Sequence, residues 1–250
     1  MSAHMTAFVP ETTDVVVLCG GRGARLGALT ADTPKPLLLV AGLPFLLRRV
    51  MALRREGFSR ILLATHYLAG RFHEFAERYA QAVPGLVVIE EPAPLGTGGA
   101  LRHASTCVRS PVFVALNGDS WMAQPAAPVL AEHGRGNRRM SLVVVRAGRI
   151  VGSRRAKGLV TFNAEGRIVG FSTGEASAED WVNSGWYALD RAMVQGWPEG
   201  SYDLESHVSD LVPSGGFVFP SEEALLDIGT PECYARAQQV LDDSEALATP

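Results

Sequence analysis

The sequence lacks what would mark a membrane, secreted or nucleic-acid-binding chain. No stretch approaches about 18 consecutive apolar residues, because the most hydrophobic segment, Leu37–Leu47, is cut by Gly42 and Pro44, so no membrane span is expected. Residues Met1–Pro10 do not follow a signal-peptide pattern. Cysteine is scarce: the three at 19, 107 and 233 form neither an even set nor a metal-ligand spacing, which excludes a disulfide framework and a zinc site. They read as reduced, small packing residues. Blocks of like charge are absent too, and 26 acidic against 23 basic residues leave a net charge of −3. That balance excludes the basic footprint of a DNA- or RNA-binding surface. A soluble, cytoplasmic protein is expected. Internal repeats and low-complexity linkers are missing, and so, almost, is lysine: 21 of the 23 basic residues are arginine, leaving Lys35 and Lys157.

What is present is a core. At 250 residues and 47% hydrophobic content the chain suits one medium domain. Residues 1–13 are small, polar and aperiodic and are expected to be a disordered or tag-like extension. The domain is placed at 14–242, with a tail at 243–250. Asp14–Cys19 is a continuous, β-branched apolar run ending at glycines, which predicts a buried strand. Helical periodicity follows over Pro44–Glu56, then a strand at Arg60–Thr65, a helix at Gly70–Ala80, a strand at Leu86–Glu90, a helix at Gly98–Val108 and a strand at Val112–Leu116. This alternation predicts an α/β fold, a single-domain, doubly wound, mostly parallel, Rossmann-like sheet. Ligands bind such sheets beyond the carboxyl ends of the strands. After about residue 140 the pattern changes to strands at Ser141–Arg146, Leu159–Asn163, Arg167–Phe171 and Trp181–Leu189, with a hairpin turn at 163–166. These are expected to be added antiparallel strands forming a lobe over the sheet edge. Short helices are predicted at Glu205–Val212 and Pro231–Leu241.

The first strand runs into Gly20-Gly21-Arg22-Gly23-Ala24-Arg25-Leu26, followed by Thr33-Pro34-Lys35-Pro36. A glycine turn at a strand end lets backbone N–H groups cradle phosphate oxygens. The dinucleotide fingerprint fails because position 26 is Leu, and the common NTPase phosphate loop fails because Lys35 lies between prolines. What remains is a phosphate-type loop with Arg25 and, on a segment stiffened by two prolines, Lys35. In so Arg-dominated a chain a lysine there suggests a need for a compact, preorganised point charge.

These residues resemble the signature of the sugar-1-phosphate nucleotidyltransferase family. The resemblance rests on Leu18–Leu26, Thr33–Leu37 and Gly42–Phe45, and continues through Glu91–Ala100, Leu116–Asp119, Val182–Gly185 and Asp227–Pro231, nearly the whole chain. It implies an enzyme that joins a nucleoside triphosphate to a sugar 1-phosphate, giving a nucleotide sugar and pyrophosphate. It implies Arg25, Lys35 and Asp119 as catalytic residues, and Asp119 with Asp227 as holders of Mg²⁺. Leu18, Gly20, Gly21, Gly23, Arg25, Glu91, Pro94, Gly96 and Thr97 would bind the nucleotide, and Asn117, Gly158, Glu175, Asn183 and Trp186 the sugar. Glu91 tilts the base toward guanine, since a carboxylate can accept from N1–H and the 2-amino group together, although a backbone carbonyl could do the same. The match weakens at Ser172-Thr173-Gly174-Glu175, where many relatives carry a Glu-Lys pair, leaving Lys157 or an arginine to substitute as the second phosphate cation. His66 and His103 lie near the active side, where surface or structural roles are expected.

Within the family, the Pro94–Ala100 segment, the length and the C-terminal end most resemble D-glycero-D-manno-heptose 1-phosphate guanylyltransferases. The alternatives are mannose 1-phosphate guanylyltransferase, whose members often continue into a β-helical domain, and N-acetylmuramate 1-phosphate uridylyltransferase. A catalytically silent nucleotide-sugar sensor is the alternative outside enzymes. The expected partners are GTP and a sugar 1-phosphate, with no nucleic-acid polymer and no membrane; homodimers and tetramers are common in the family.

Overall fold

The computed structural model describes residues 8–135, 138–151, 155–212 and 216–241. Its centre is a parallel four-strand unit. Strand β1 (Asp14–Leu18) lies between β2 (Ile61–Thr65) and β4 (Val112–Asn117), with β3 (Leu86–Glu90) beyond β2. Successive residues of β1 enter opposite cores, as a strand buried on both faces must: Val15 and Val17 pack on one side, Val16 on the other. Helices α1 (Phe45–Arg55), α2 (Ala69–Arg78) and α4 (Ala126–His133) cover the first face; α3 (Gly96–Ala104), α5 (Arg191–Gln195) and α6 (Leu204–Leu211) cover the second. Strand order reverses at β1, whose neighbours are β2 and β4, so a cleft opens there beyond the strand ends.

The second half adds antiparallel strands to the sheet, as expected. Strand β5 (Met140–Arg146) precedes the hairpin of β6 (Arg155–Phe162) and β7 (Ile168–Glu175), and β8 (Trp181–Asp190) follows. The second part of β8 pairs antiparallel with β4, from Trp186 opposite Leu116 to Asp190 opposite Val112. Its first part meets β6 at Val182, and its other edge carries β5 along Trp181–Leu189. Strand β9 (Phe217–Ser221) runs parallel to β5 and makes nine strands in this sheet among the described residues. These are the added antiparallel strands expected from the sequence: Trp186–Leu189 is apolar on both faces, the composition of an interior strand, and β8 bridges the two halves.

Two features escape periodicity. Helix α4 opens on Gln124-Pro125-Ala126 with little amphipathic contrast. A small second sheet joins Leu225–Asp227 to Ser120–Trp121 and Ile150–Val151, segments too short to show a repeat. Helix α7 (Pro231–Val240), N-capped by Thr230 onto the Cys233 amide, seals this sheet through Ala237 packed near Leu226 and Ile228. The N-terminal expectation also needs correction. Phe8 packs against the first core and Pro10 is buried, so residues 8–13 belong to the fold, while 1–7 and the expected tail 243–250 lie outside the described residues. Among the described residues no helix is long and apolar enough to cross a membrane.

Candidate functional site

The ends of β1, β2, β3 and β4 surround a cleft of about 590 Å³, a size that suits a nucleotide-sized ligand. Leu18, Gly20 and Gly21 line it from β1, Glu91, Pro94, Gly96 and Thr97 from the loop into α3, and Asn117 and Asp119 from β4. Lys35 completes the wall, so the segments singled out in sequence converge across 100 positions.

Lys35 sits on a 3-10 turn, Lys35–Leu37, closed by the Leu37 amide donating to Pro34 O at 2.8 Å. Gly23 backs onto the Lys35 stem. The buried Lys35 ammonium donates to Asp119 Oδ2. Burial alone would raise the Asp119 pKa, but the Lys35 charge, with hydrogen bonds from Lys35 and Ser120, outweighs it and holds the carboxyl below its ordinary range. Asp227 comes alongside through the small sheet: it pairs with Ser120, and the Ile228 amide donates to Asp119 O at 3.1 Å. Burial first, and the Asp119 charge second, push Asp227 up, against the Gly229 amide, Lys35 and Arg25. Asp119 lines the cleft and Asp227, outside the lining, stands beside it; two neighbouring hard carboxylates fit a Mg²⁺ that also takes oxygens from phosphates.

Glu91 follows β3 and is only 7% exposed. Among the described residues its carboxylate receives one hydrogen bond, from the Leu95 amide at 3.3 Å. Burial pushes its pKa up, partly opposed by that amide and by His66 and His103. Gly20 lies directly beneath: a Cβ there would stand 2.6 Å from Glu91 Oε1, so the loop must be glycine for the carboxylate to face the cleft. His66 Nδ1 lies 3.2 Å from Glu91 O and His103 Nε2 3.1 Å from Glu90 O, so both rings brace the backbone of this segment, the structural role expected for them.

Several expected residues sit elsewhere. Arg25 is exposed and lies beside Asp227 and Gly229, outside the cleft lining. Arg22 lines the cleft in its place, with its guanidinium 5.7 Å from the Tyr67 ring centroid. Trp186 is corrected: it is 2% exposed, packed among Leu116 and Val143, and it borders a separate cavity of about 240 Å³ with Arg49 and Trp121. The physical reason is the irregular register between Asn183 and Trp186, which leaves Trp186 on the α1 face and Tyr187 on the α3 face. Glu175 is corrected too, standing exposed at the outer end of β7 opposite Arg155. Gly158 backs onto Asn183 Cβ without lining the cleft. The side chain of Lys157 lies outside the described residues.

Sequence reading missed Cys19, Tyr67 and Asp203 among the lining residues, and Glu205 behind them. Cys19 is buried between two carboxylates: burial, then Asp119 and Glu91, push its thiol far up, so it stays protonated and is no nucleophile. Tyr67 could have been suspected from its place just past a strand end. Glu205 carries no local signal.

The model of the nucleotidyl transferase family matches residues 14–244. A mannose-1-phosphate guanylyltransferase of Mycobacterium tuberculosis is 33% identical over 230 residues, covering 89% of this chain and 63% of that protein. The chain thus spans less than two thirds of that relative's length. A D-glycero-alpha-D-manno-heptose 1-phosphate guanylyltransferase of Aneurinibacillus thermoaerophilus is 24% identical over 91% of this chain and 98% of its own length. Among solved structures, HddC from Yersinia pseudotuberculosis complexed with GMP-PN superposes with a TM-score of 0.78 at 25% identity, over 91% of this chain and 99% of that one. A phosphate-type glycine loop, a clamped lysine and Asp119 at one strand-end cleft, with Asp227 beside Asp119, therefore come with a family match across nearly the whole sequence: the chain belongs to the nucleotidyl transferase family, whose sugar-1-phosphate enzymes its motifs resemble.

Proposed function

We propose that the protein is a guanylyltransferase that joins GTP to a sugar 1-phosphate of D-manno configuration, D-glycero-D-manno-heptose 1-phosphate favoured, releasing pyrophosphate. The observation that carries the base assignment is Glu91, a buried carboxylate in the cleft with one long hydrogen bond from the protein. A carboxylate offers about four acceptor positions, and among the nucleobases guanine presents two adjacent donors to fill them. The heptose reading is supported by a relative matched over 98% of its length. The mannose reading is favoured instead by the higher identity, 33%.

In this reaction a sugar-phosphate oxygen attacks the α-phosphorus in line. The new P–O bond forms as the bond to the bridging oxygen of pyrophosphate breaks, and the electron pair leaves with pyrophosphate. A phosphate monoester is largely dianionic near neutral pH, so no general base is needed, and the obstacle is repulsion between polyanions. Lys35 would meet it with an ammonium fixed on a proline-braced turn, turning from Asp119 to the phosphates. Arg25 and Arg22 would add cations at the triphosphate end, and the Gly20–Gly23 amides would donate to its oxygens. Asp119 and Asp227 would hold Mg²⁺, which supplies charge neutralisation at the phosphates when bound.

The test is a panel of four NTPs against heptose 1-phosphate, mannose 1-phosphate and N-acetylmuramate 1-phosphate, following pyrophosphate release with Mg²⁺. GTP with a manno-configured sugar is the expected pair. Preference for UTP or CTP would sink the base assignment, and nucleotide-sugar binding without pyrophosphate release would make the protein a sensor.

A further inference from the structure

Thr97 lines the cleft from the first turn of α3 beside the base-reading loop, whereas Asn183, expected at the sugar, stands in β8 outside the cleft lining. Neither side chain has a donor to spare. The Thr97 hydroxyl donates to Glu205 Oε2 at 3.0 Å and accepts the Leu204 amide at 2.8 Å. Asn183 Nδ2 donates to Tyr187 Oη at 2.5 Å and to Glu205 Oε1 at 3.2 Å, while its Oδ1 accepts the Gly185 amide at 2.7 Å. Tyr187 Oη also donates to Glu205 Oε1 at 3.2 Å. An amide nitrogen has two hydrogens and a hydroxyl one, so all these donors are consumed inside the protein. Their common acceptor is a half-buried carboxylate at the start of α6, taking charge-assisted hydrogen bonds from three side chains.

The same segment grips α3 by its backbone. Tyr202 O accepts the Gly98 amide at 3.0 Å and the Gly99 amide at 3.3 Å, and the Tyr202 amide donates to Leu95 O at 2.9 Å. Asp203 Oδ1 accepts the Thr97 amide at 3.3 Å. Residues 202–205 therefore hold Leu95–Gly99 on one side and Asn183 on the other. On the sugar side, Gly185 packs onto the Asn117 carboxamide that lines the cleft.

We infer that Glu205 is a positioning residue that couples the nucleotide half of the cleft to the sugar half, by holding Thr97 and Asn183 on one carboxylate. This rests on the nucleotidyl-transfer reading above. A nucleotide that orders Leu95–Thr97 then also orders Asn183 and Asn117, so each substrate tightens the binding of the other.

The test uses a GTP analogue with a methylene bridge between the α- and β-phosphorus, which cannot release pyrophosphate. Its affinity is measured calorimetrically with and without the sugar 1-phosphate that the wild type turns over best. Coupling of about fivefold or more is expected in the wild type. In Glu205→Ala it falls to about one. Glu205→Gln retains most of it, because the amide oxygen still accepts from Asn183 and Tyr187 while the Thr97 hydroxyl rotates to accept. Thr97→Val, which cuts one arm and the acceptor of the Leu204 amide but leaves the Glu205 carboxylate in place, lowers the coupling and carries the test if Glu205→Ala does not fold. Loss of melting temperature with coupling intact in Glu205→Ala or Thr97→Val would make the network merely structural and overturn the inference. Absence of coupling in an active wild type would overturn it too. A wild type that releases no pyrophosphate from any pair overturns the function and this inference together, whereas turnover with unaltered coupling removes the inference alone.

Discussion

Replacing Glu91 by Gln should move stability and activity in opposite directions. The carboxylate is 7% exposed and has, among the described residues, a single donor, the Leu95 amide at 3.3 Å, which lies beyond the usual range for a good N–H···O bond. Burial raises its folded-state pKa. A raised carboxylate pKa favours folding below the unfolded pKa, and that benefit is lost as pH rises through the folded value. At pH 7 the ionised Glu91 therefore costs stability, and a neutral glutamine of the same shape removes the cost. The variant should melt higher than the wild type at pH 7, and the two should converge as pH falls to 4.5 and below. Toward guanine the sign reverses. Hydrogen bonds to a charged group contribute about 1.5–3 kcal/mol, so losing the charge should reduce kcat/KM for GTP roughly ten- to 150-fold, with less effect on ATP. Thermal melts across pH and pyrophosphate release with both nucleotides measure the two halves. A variant with an unchanged GTP-to-ATP preference would refute Glu91 as the base reader, and a lower melting point at pH 7 would refute its shortage of protein donors.

Lys35→Ala should lower kcat about 10²–10³-fold, and Lys35→Arg should not restore it, because a planar fork cannot replace a compact ammonium seated on Asp119; single-turnover pyrophosphate release checks both. Gly185→Ala places a methyl group on the Asn117 carboxamide at φ +74°, which should cost about 1–3 kcal/mol and raise KM for the sugar 1-phosphate; calorimetry and steady-state kinetics read the two effects, and an unchanged KM would separate Asn117 from the sugar. Burial pushes His133 down from 6.5 to about 4, so it folds neutral, and the stability present above pH 6.5 should fall by about 3 kcal/mol as pH drops through 4; urea melts at stepped pH should show that slope flattened in His133→Gln.

The parallel half of the fold was legible because burial on both faces writes continuous apolar strands separated by amphipathic helices, and Asp14–Leu18, Ile61–Thr65 and Leu86–Glu90 end within a residue of their expected bounds. The cleft was legible where chemistry is local: the glycine loop, the proline-flanked lysine and the Asn117-Gly118-Asp119 strand end all reach it. What depends on register was not. Trp186 faces away from the cleft because of an irregularity three residues upstream that no composition announces. Glu205 acts on Thr97 across 108 positions, and nothing in Leu204-Glu205-Ser206-His207 distinguishes it from a solvated helix face. Leu225–Asp227 is likewise only three residues long, yet its pairing is what sets Asp227 beside Asp119.

The place of β8 bears on how the chain is made. Until residues 181–190 have left the ribosome, the edge of β4 has no partner, and β8 is also the strand that joins β5 and β6 to the sheet. At about 5–20 residues per second the nascent parallel unit spends seconds with an apolar edge open to other chains. Translation through residues 140–190 is therefore the step at which crowding and chaperone supply should decide yield. Light scattering of a fragment ending before residue 181 should show association that the full chain does not.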